Sequence, residues 1–404
     1  MREEGAMTRR HWLRYATSSM ALLPFLAKGG FSLVGESRGG KNRGKVPKLP
    51  ETGLLSSRGR FLNWSIEEER YWFFTARDGL DRFRRLAEMH RDVCDFLELA
   101  RSATGLPVYA FRMGKGPKQI AVMSGMHGDE PSGPRGLLAY LDALLNGIKS
   151  FDTQLDGRRI FEAVTLHVFP LVNPGGAQRF SEHFPDSWHA TWIPEWTAEN
   201  KEKFFAEANE PNHFFYGSYV KKPPMRFTPE QIAEWEATGN VLGSSLTDHG
   251  LDMWFDWDDS HGRQTRALKE VLQRVRPAIF ADFHNFMYPT EVFAPTVYST
   301  GTLARQESEL ALALQHAWSS QKLQFHDRPP RPYTKPAEKY YEDYWVHQLG
   351  ARVLIVEFNG GMLATEGAEY EPIAGQRALT RRESLASAFF AVRALVDRAM
   401  DLPL

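Results

Sequence analysis

Two periodicities divide this chain. Short apolar runs at residues 119–123, 164–172, 278–283, 292–298 and 352–356 have the length and β-branched content of buried strands. Residues 107–113 alternate as a further strand and reach the first of these runs through the Gly114-Lys115-Gly116-Pro117 turn. Around them, apolar positions recur at helical spacing. Residues 66–101, with Phe83, Leu86, Val93, Phe96 and Leu97 set among charges, read as a packed amphipathic helix pair, and Cys94 as a small core residue on a helix face. Residues 136–145, 265–275, 303–318 and 382–400 read as further helices. The alternation predicts an α/β fold: a single domain with a mixed, mostly parallel central sheet flanked by helices.

Both ends of the pattern break down in informative places. Residues 1–28 carry Arg9-Arg10 ahead of a modest apolar run, too short to span a bilayer, and read as a twin-arginine-type export signal. Residues 29–56 are rich in Gly, Lys, Arg and Pro and read as a disordered linker, which leaves 57–404 as the globular part. Between about 180 and 249 the β/α alternation lapses into a segment crowded with Trp, Phe, Tyr, Pro and His. A structureless loop of that length would be unusual, so it reads as an ordered insertion over a site.

Composition narrows the chemistry. With 42% hydrophobic residues the chain can bury a large core, and its formal net charge of −1 offers no nucleic-acid surface. The single cysteine excludes an intrachain disulfide and any multi-thiolate metal site. A metal here would be held by His, Asp and Glu.

Three strand ends carry such residues. His127 and Glu130 follow the 119–123 run, His284 follows 278–283, and Glu357 follows 352–356. Ligands of open α/β sheets bind at the carboxyl ends of strands, where residues remote in sequence meet. Two His and a Glu leave one zinc position open, as in a catalytic site. A further carboxylate at the end of Val353-Leu354-Ile355-Val356 is partly desolvated, which raises its pKa and suits proton transfer.

These motifs resemble the zinc metallocarboxypeptidases of the carboxypeptidase A type and the related succinylglutamate desuccinylase/aspartoacylase enzymes. Gly125-x-His127-Gly-Asp-Glu130 resembles the H-x-x-E ligand pair, and Asn173-Pro174-Gly175-Gly176 the N-P-D-G motif, with Gly175 in place of Asp. Gly250-Leu251-Asp252 resembles G-V-D, Ala281-Asp282-Phe283-His284 the strand of the third ligand, and Val356-Glu357-Phe358 the strand of the base. The resemblance implies one Zn²⁺ per chain, ligated by His127, Glu130 and His284. It implies Glu357 as base, Arg179 as partner of the carbonyl oxyanion, and Asp252 as the carboxylate that fixes the tautomer of the first ligand His. The implied substrate is a peptide or N-acyl amino acid.

Two departures bear on that substrate. Trp254 and Phe255 stand where the family grips the substrate's terminal carboxylate with an Asn-Arg pair, and an aromatic pair cannot make that bidentate contact. His347 stands where the family carries a mobile Tyr and is a catalytic candidate, able to donate to the substrate or transition state in its place. Arg263, Arg266 or Arg226 are candidates for a substitute cation. A murein-peptide amidase, an N-acyl amino acid deacylase and a catalytically silent peptide- or glycan-binding relative are the competing readings.

Overall fold

A computed structural model describes residues 65–183, 246–258, 260–286, 290–333, 341–359 and 379–401. The export-signal stretch, the linker, Arg226 and most of the aromatic-rich segment lie outside the described residues.

From Asn63 onward the chain forms one compact unit built on a seven-stranded sheet. The strands are β1 (Cys94–Arg101), β2 (Pro107–Met113), β3 (Lys118–Ser124), β4 (Val164–Phe169), β5 (Ile279–Phe286), β6 (Glu291–Phe293) and β7 (Arg352–Asn359), in the order β1-β2-β4-β3-β5-β7-β6. The inner four, β4, β3, β5 and β7, are parallel; β2 and β6 run against them, and β1 pairs antiparallel with β2 at the edge. The parallel strands are buried nearly throughout, which is why they read as continuous apolar runs. Helices flank the sheet. The closing helix Arg381–Asp401 packs on Ser132–Asn146 and Gly301–Ser320, while Arg263–Val275 packs against β1.

The predicted helix pair is corrected in its second half. Ile66–Tyr71 and Ala76–Met89 are helical, but Cys94–Arg101 is an edge strand. Phe96 packs on Tyr109 and Phe111 of β2 with ring centroids 4.5 and 5.0 Å apart, and these cross-strand aromatic pairs decide a segment whose spacing fits either period. Cys94 therefore sits on a strand; burial pushes its thiol up to about 12. The run at 292–298 yields only the three residues of β6, since Pro295 has no N–H for a ladder. Three α-helices lay outside the sequence reading: Gly157–Ala163, capped by Asp156 accepting from Arg159 N, Pro174–His183, and Glu342–His347. Among the described residues no helix is long and apolar enough to cross a membrane.

One rung of this sheet positions the site. His284 on β5 is the register partner of Glu357 on β7, and Glu357 is the register partner of Glu291 on β6. Register partners face the same side of a sheet, so the three side chains form a row. His284 and Glu357 lie inside their strands, which run on to Phe286 and Asn359.

Candidate metal centre

The loop after β3 is fixed from three sides. Asn173 Nδ2 donates to Met126 O at 3.0 Å, while Asn173 Oδ1 accepts from Gly176 N at 3.0 Å. Gly128 lies so close to the start of the Pro174–His183 helix that a Cβ there would fall 2.2 Å from the Gly176 carbonyl carbon. Beyond Glu130, Ser132 accepts from Asn285 Nδ2 at 2.6 Å and exchanges a hydrogen bond with Ser384 at 2.8 Å. These contacts tie the His127–Glu130 loop to β5, the strand that carries His284.

His127, Glu130 and His284 converge. His127 Nδ1 lies 2.7 Å from Glu130 Oε1, and His284 Nδ1 lies 3.0 Å from Glu130 Oε2. One donor atom from each residue falls within 4.8 Å of the others, and all three residues are buried. The far nitrogens of both rings also face carboxylates: His284 Nε2 lies 3.0 Å from Asp282 Oδ2, and His127 Nε2 lies 3.6 Å from Asp252 Oδ1. Burial opposes a charge on either ring. Glu130 and Asp252 outweigh that for His127, and Asp282 and Glu130 for His284, so both pKa values rise well above the ordinary histidine value. Both imidazoles thus present Nδ1 to a common point and Nε2 to a carboxylate that can accept its proton, a donor set that fits zinc.

Glu357 borders this cluster. Burial, only partly offset by His284, pushes its pKa up to about 8. Its Oε2 has no hydrogen-bond partner among the described residues. Behind His284, Asp282 and the buried Glu342 form a second grouping that shares the same imidazole. Burial and the Asp282 charge raise the Glu342 pKa well above the carboxylate range. Sequence reasoning passed over both residues; the Asp282-x-His284 spacing, which places two side chains on one face of a strand, was a usable signal for Asp282.

Arg179, on the Pro174–His183 helix, is ion-paired with Asp248 and donates to Leu246 O at 2.6 Å. Asp248 also accepts from Thr104 N at 3.0 Å and Thr104 Oγ1 at 2.9 Å. Burial works against its charge, but Arg179 and Thr104 lower its pKa below the ordinary value.

Trp254 and Phe255 belong to a one-turn 3-10 segment, Met253–Phe255, capped by Asp252, which accepts from Trp254 N at 2.9 Å. The Trp254 ring lies 5.5 Å from His127 and 5.7 Å from His284, and packs on Tyr333 and Tyr341 at 5.3 and 4.8 Å. Those two tyrosines were also passed over. His347, by contrast, has its described contacts away from the cluster, with Ser299 Oγ at 3.4 Å and the Tyr298 ring. Arg266 donates to Ser260 O and His261 O on the surface, and Arg263 begins the helix that packs against β1.

A family model described as zinc carboxypeptidase matches residues 80–287, slightly more than half of the chain. A metallo-carboxypeptidase of Burkholderia cenocepacia shares the fold at 14% identity and a TM-score of 0.50, over 79% of this chain and 69% of its own. Bovine thrombin-activatable fibrinolysis inhibitor, solved in complex with tick carboxypeptidase inhibitor, is similar at 14% identity and a TM-score of 0.50, over 82% of this chain and 99% of its own. No curated protein matches the chain.

Proposed function

The chain belongs to the zinc carboxypeptidase family, and on that premise we propose that it is a hydrolase that cleaves an amide or peptide bond with one zinc ion per chain. Nδ1 of His127, the Glu130 carboxylate and Nδ1 of His284 would hold the ion. The observation that carries this reading is the convergence of those three donors beside a buried carboxyl, Glu357, whose proton affinity is raised.

When bound, zinc supplies a Lewis acid that polarises the scissile carbonyl and acidifies water. Asp282 holds the Nε2 proton of His284, and Asp252, 3.6 Å from His127 Nε2, favours the same tautomer of that ring electrostatically, which keeps both Nδ1 lone pairs turned toward the ion. Glu357 takes a proton from the attacking water at Oε2, which is unpartnered among the described residues, and passes it to the leaving nitrogen, a task suited to a carboxyl titrating near neutrality. Arg179, steadied by Asp248, stabilises the negative charge that develops on the carbonyl oxygen. His347 is not part of this scheme.

The substrate is a peptide or an N-acyl amino acid. Its terminal carboxylate is not gripped at Trp254 and Phe255, which instead offer an aromatic wall with Tyr333 and Tyr341. That substitution favours amidase or deacylase action as the second reading. A silent binding module has no need of Glu357. Mass spectrometry of the zinc-loaded protein with peptides and N-acyl amino acids tests the reading: hydrolysis that stops on chelation supports it, and intact substrates throughout overturn it.

For the whole chain, residues 1–28 serve as an export signal, 29–56 as a linker and 57–404 as the catalytic domain. Fusing residues 1–28 to a reporter exported only in folded form tests the first part of that assignment.

A further inference from the structure

The rung that carries His284 and Glu357 continues to Glu291, a buried carboxylate on β6 with two arginines attached. Arg328 approaches Glu291 bidentately, through Nε at 2.6 Å and through Nη2. Arg331 contributes only Nε, at 3.2 Å. The chain bearing both arginines runs alongside β6, bridged at Thr290–Phe325 and Phe293–Arg331. Two guanidinium groups on one carboxylate leave a net positive charge. His326 registers it: its pKa is lowered by burial and by Arg328 and Arg331, against an opposing pull from Glu291.

Arg331 differs from its neighbour in what it leaves available. Its Cζ sits 5.1 Å from the Phe293 ring centroid, the side chain is half exposed, and its two terminal nitrogens have no hydrogen-bond partner among the described residues. Glu291 and Phe293 thus hold a guanidinium that remains half exposed. Phe293 in turn packs on Tyr333 at 4.7 Å, and Tyr333 on Trp254, the ring that covers both histidines. Two strand spacings, about 10 Å, separate the backbones of His284 and Glu291. An extended peptide advances about 3.5 Å per residue, so two residues and a hydrogen bond cover that distance.

We propose that Arg331, held by Glu291 and backed by Arg328, is the carboxylate-binding site of this enzyme: it receives a substrate carboxylate one or two residues beyond the scissile bond, in place of the arginine missing at Phe255. The proposal rests on the placement of hydrolysis at His127, Glu130, His284 and Glu357. The carboxylate is either the C-terminus of a peptide or an acidic side chain next to the cleavage point. Both present the same two oxygens to a guanidinium fork.

The test uses three N-acetylated tripeptides: one neutral with a free C-terminus, the same peptide amidated, and an amidated peptide with a glutamate side chain. Binding to the zinc-loaded Glu357→Gln protein is measured by calorimetry, beside turnover by the wild type. One or both carboxylate-bearing peptides should bind at least ~10-fold more tightly than the neutral amide, as a charge-assisted hydrogen bond supplies. The member of the pair that does so identifies the source. Arg331→Ala should bring the ratio to within about 2-fold of unity, Arg331→Lys should restore part of it, and binding of the neutral amide should not change. Loss of binding to all three peptides in both variants, or a ratio that survives Arg331→Ala, overturns the proposal. Absence of wild-type turnover alongside an Arg331-dependent ratio overturns the hydrolase reading and leaves the carboxylate site standing.

Discussion

Gly175 and Asp248 share one place: a Cβ on Gly175 would fall 2.0 Å from Asp248 Oδ1. The missing side chain at 175 admits a carboxylate from 73 residues further along, and that carboxylate holds Arg179. Gly175→Ala should therefore expel Asp248 and lower kcat/KM by roughly 10- to 100-fold, less than the ~100- to 1000-fold of losing an oxyanion donor outright, since Arg179 itself remains. Asp248→Asn, which keeps the Thr104 contacts but not the charge, should have a smaller effect. Steady-state kinetics of both variants, with zinc content unchanged, checks the pair.

Asp282→Asn should weaken zinc binding by about 10- to 100-fold, because the amide cannot hold the His284 Nε2 proton as a carboxylate does. Competition with a chelator of known affinity gives the value. His127→Ala and His284→Ala should abolish stoichiometric binding.

Metal removal should lower thermal stability, since zinc binds the folded arrangement of three residues far apart in sequence. At a free zinc concentration a thousandfold above Kd the stabilisation is about 4 kcal/mol. Calorimetric scans before and after chelation should show a Tm that falls and returns on adding zinc. Binding should also release protons, since the carboxylates around His127 and His284 favour protonated rings in the absence of the ion.

His167 offers a pH dependence well removed from the metal. Burial, then the charge of Arg112, lowers its pKa to about 3, and its Nε2 meets Gln119 Oε1 at 2.8 Å. A folded-state value below the unfolded one means that the unfolded chain binds the extra proton. The stability it contributes is therefore complete above about pH 6.5 and is lost as pH falls toward 3. Urea unfolding between pH 7 and 4 should show a shallower decline for His167→Gln than for the wild type.

The sheet and the metal cluster were legible in the sequence for different reasons. The parallel strands β3, β4, β5 and β7 are buried on both faces and so appear as apolar runs, and His127, Glu130, His284 and Glu357 sit at or just past recognisable ones. The edge strand β1 resembles a helix in sequence because Val93, exposed just before it, and the half-buried Phe96 and Leu97 satisfy a helical spacing as well as a strand in one short segment. What surrounds the candidate metal site was least legible. Asp248, Glu342, Tyr333 and Tyr341 reach the site from loops and from the start of a short helix, where no periodicity marks a residue as inward-facing. Glu291 became meaningful only through register, which links it to Glu357 across 66 positions.

Zinc content measured together with turnover, on protein purified without chelators, tests the central claim most directly. The wild type and Glu357→Gln should each carry one zinc per chain, and the variant should cleave peptides or N-acyl amino acids at least ~100-fold more slowly. Zinc far below one per chain in the wild type, or equal turnover by the two proteins, would contradict the account.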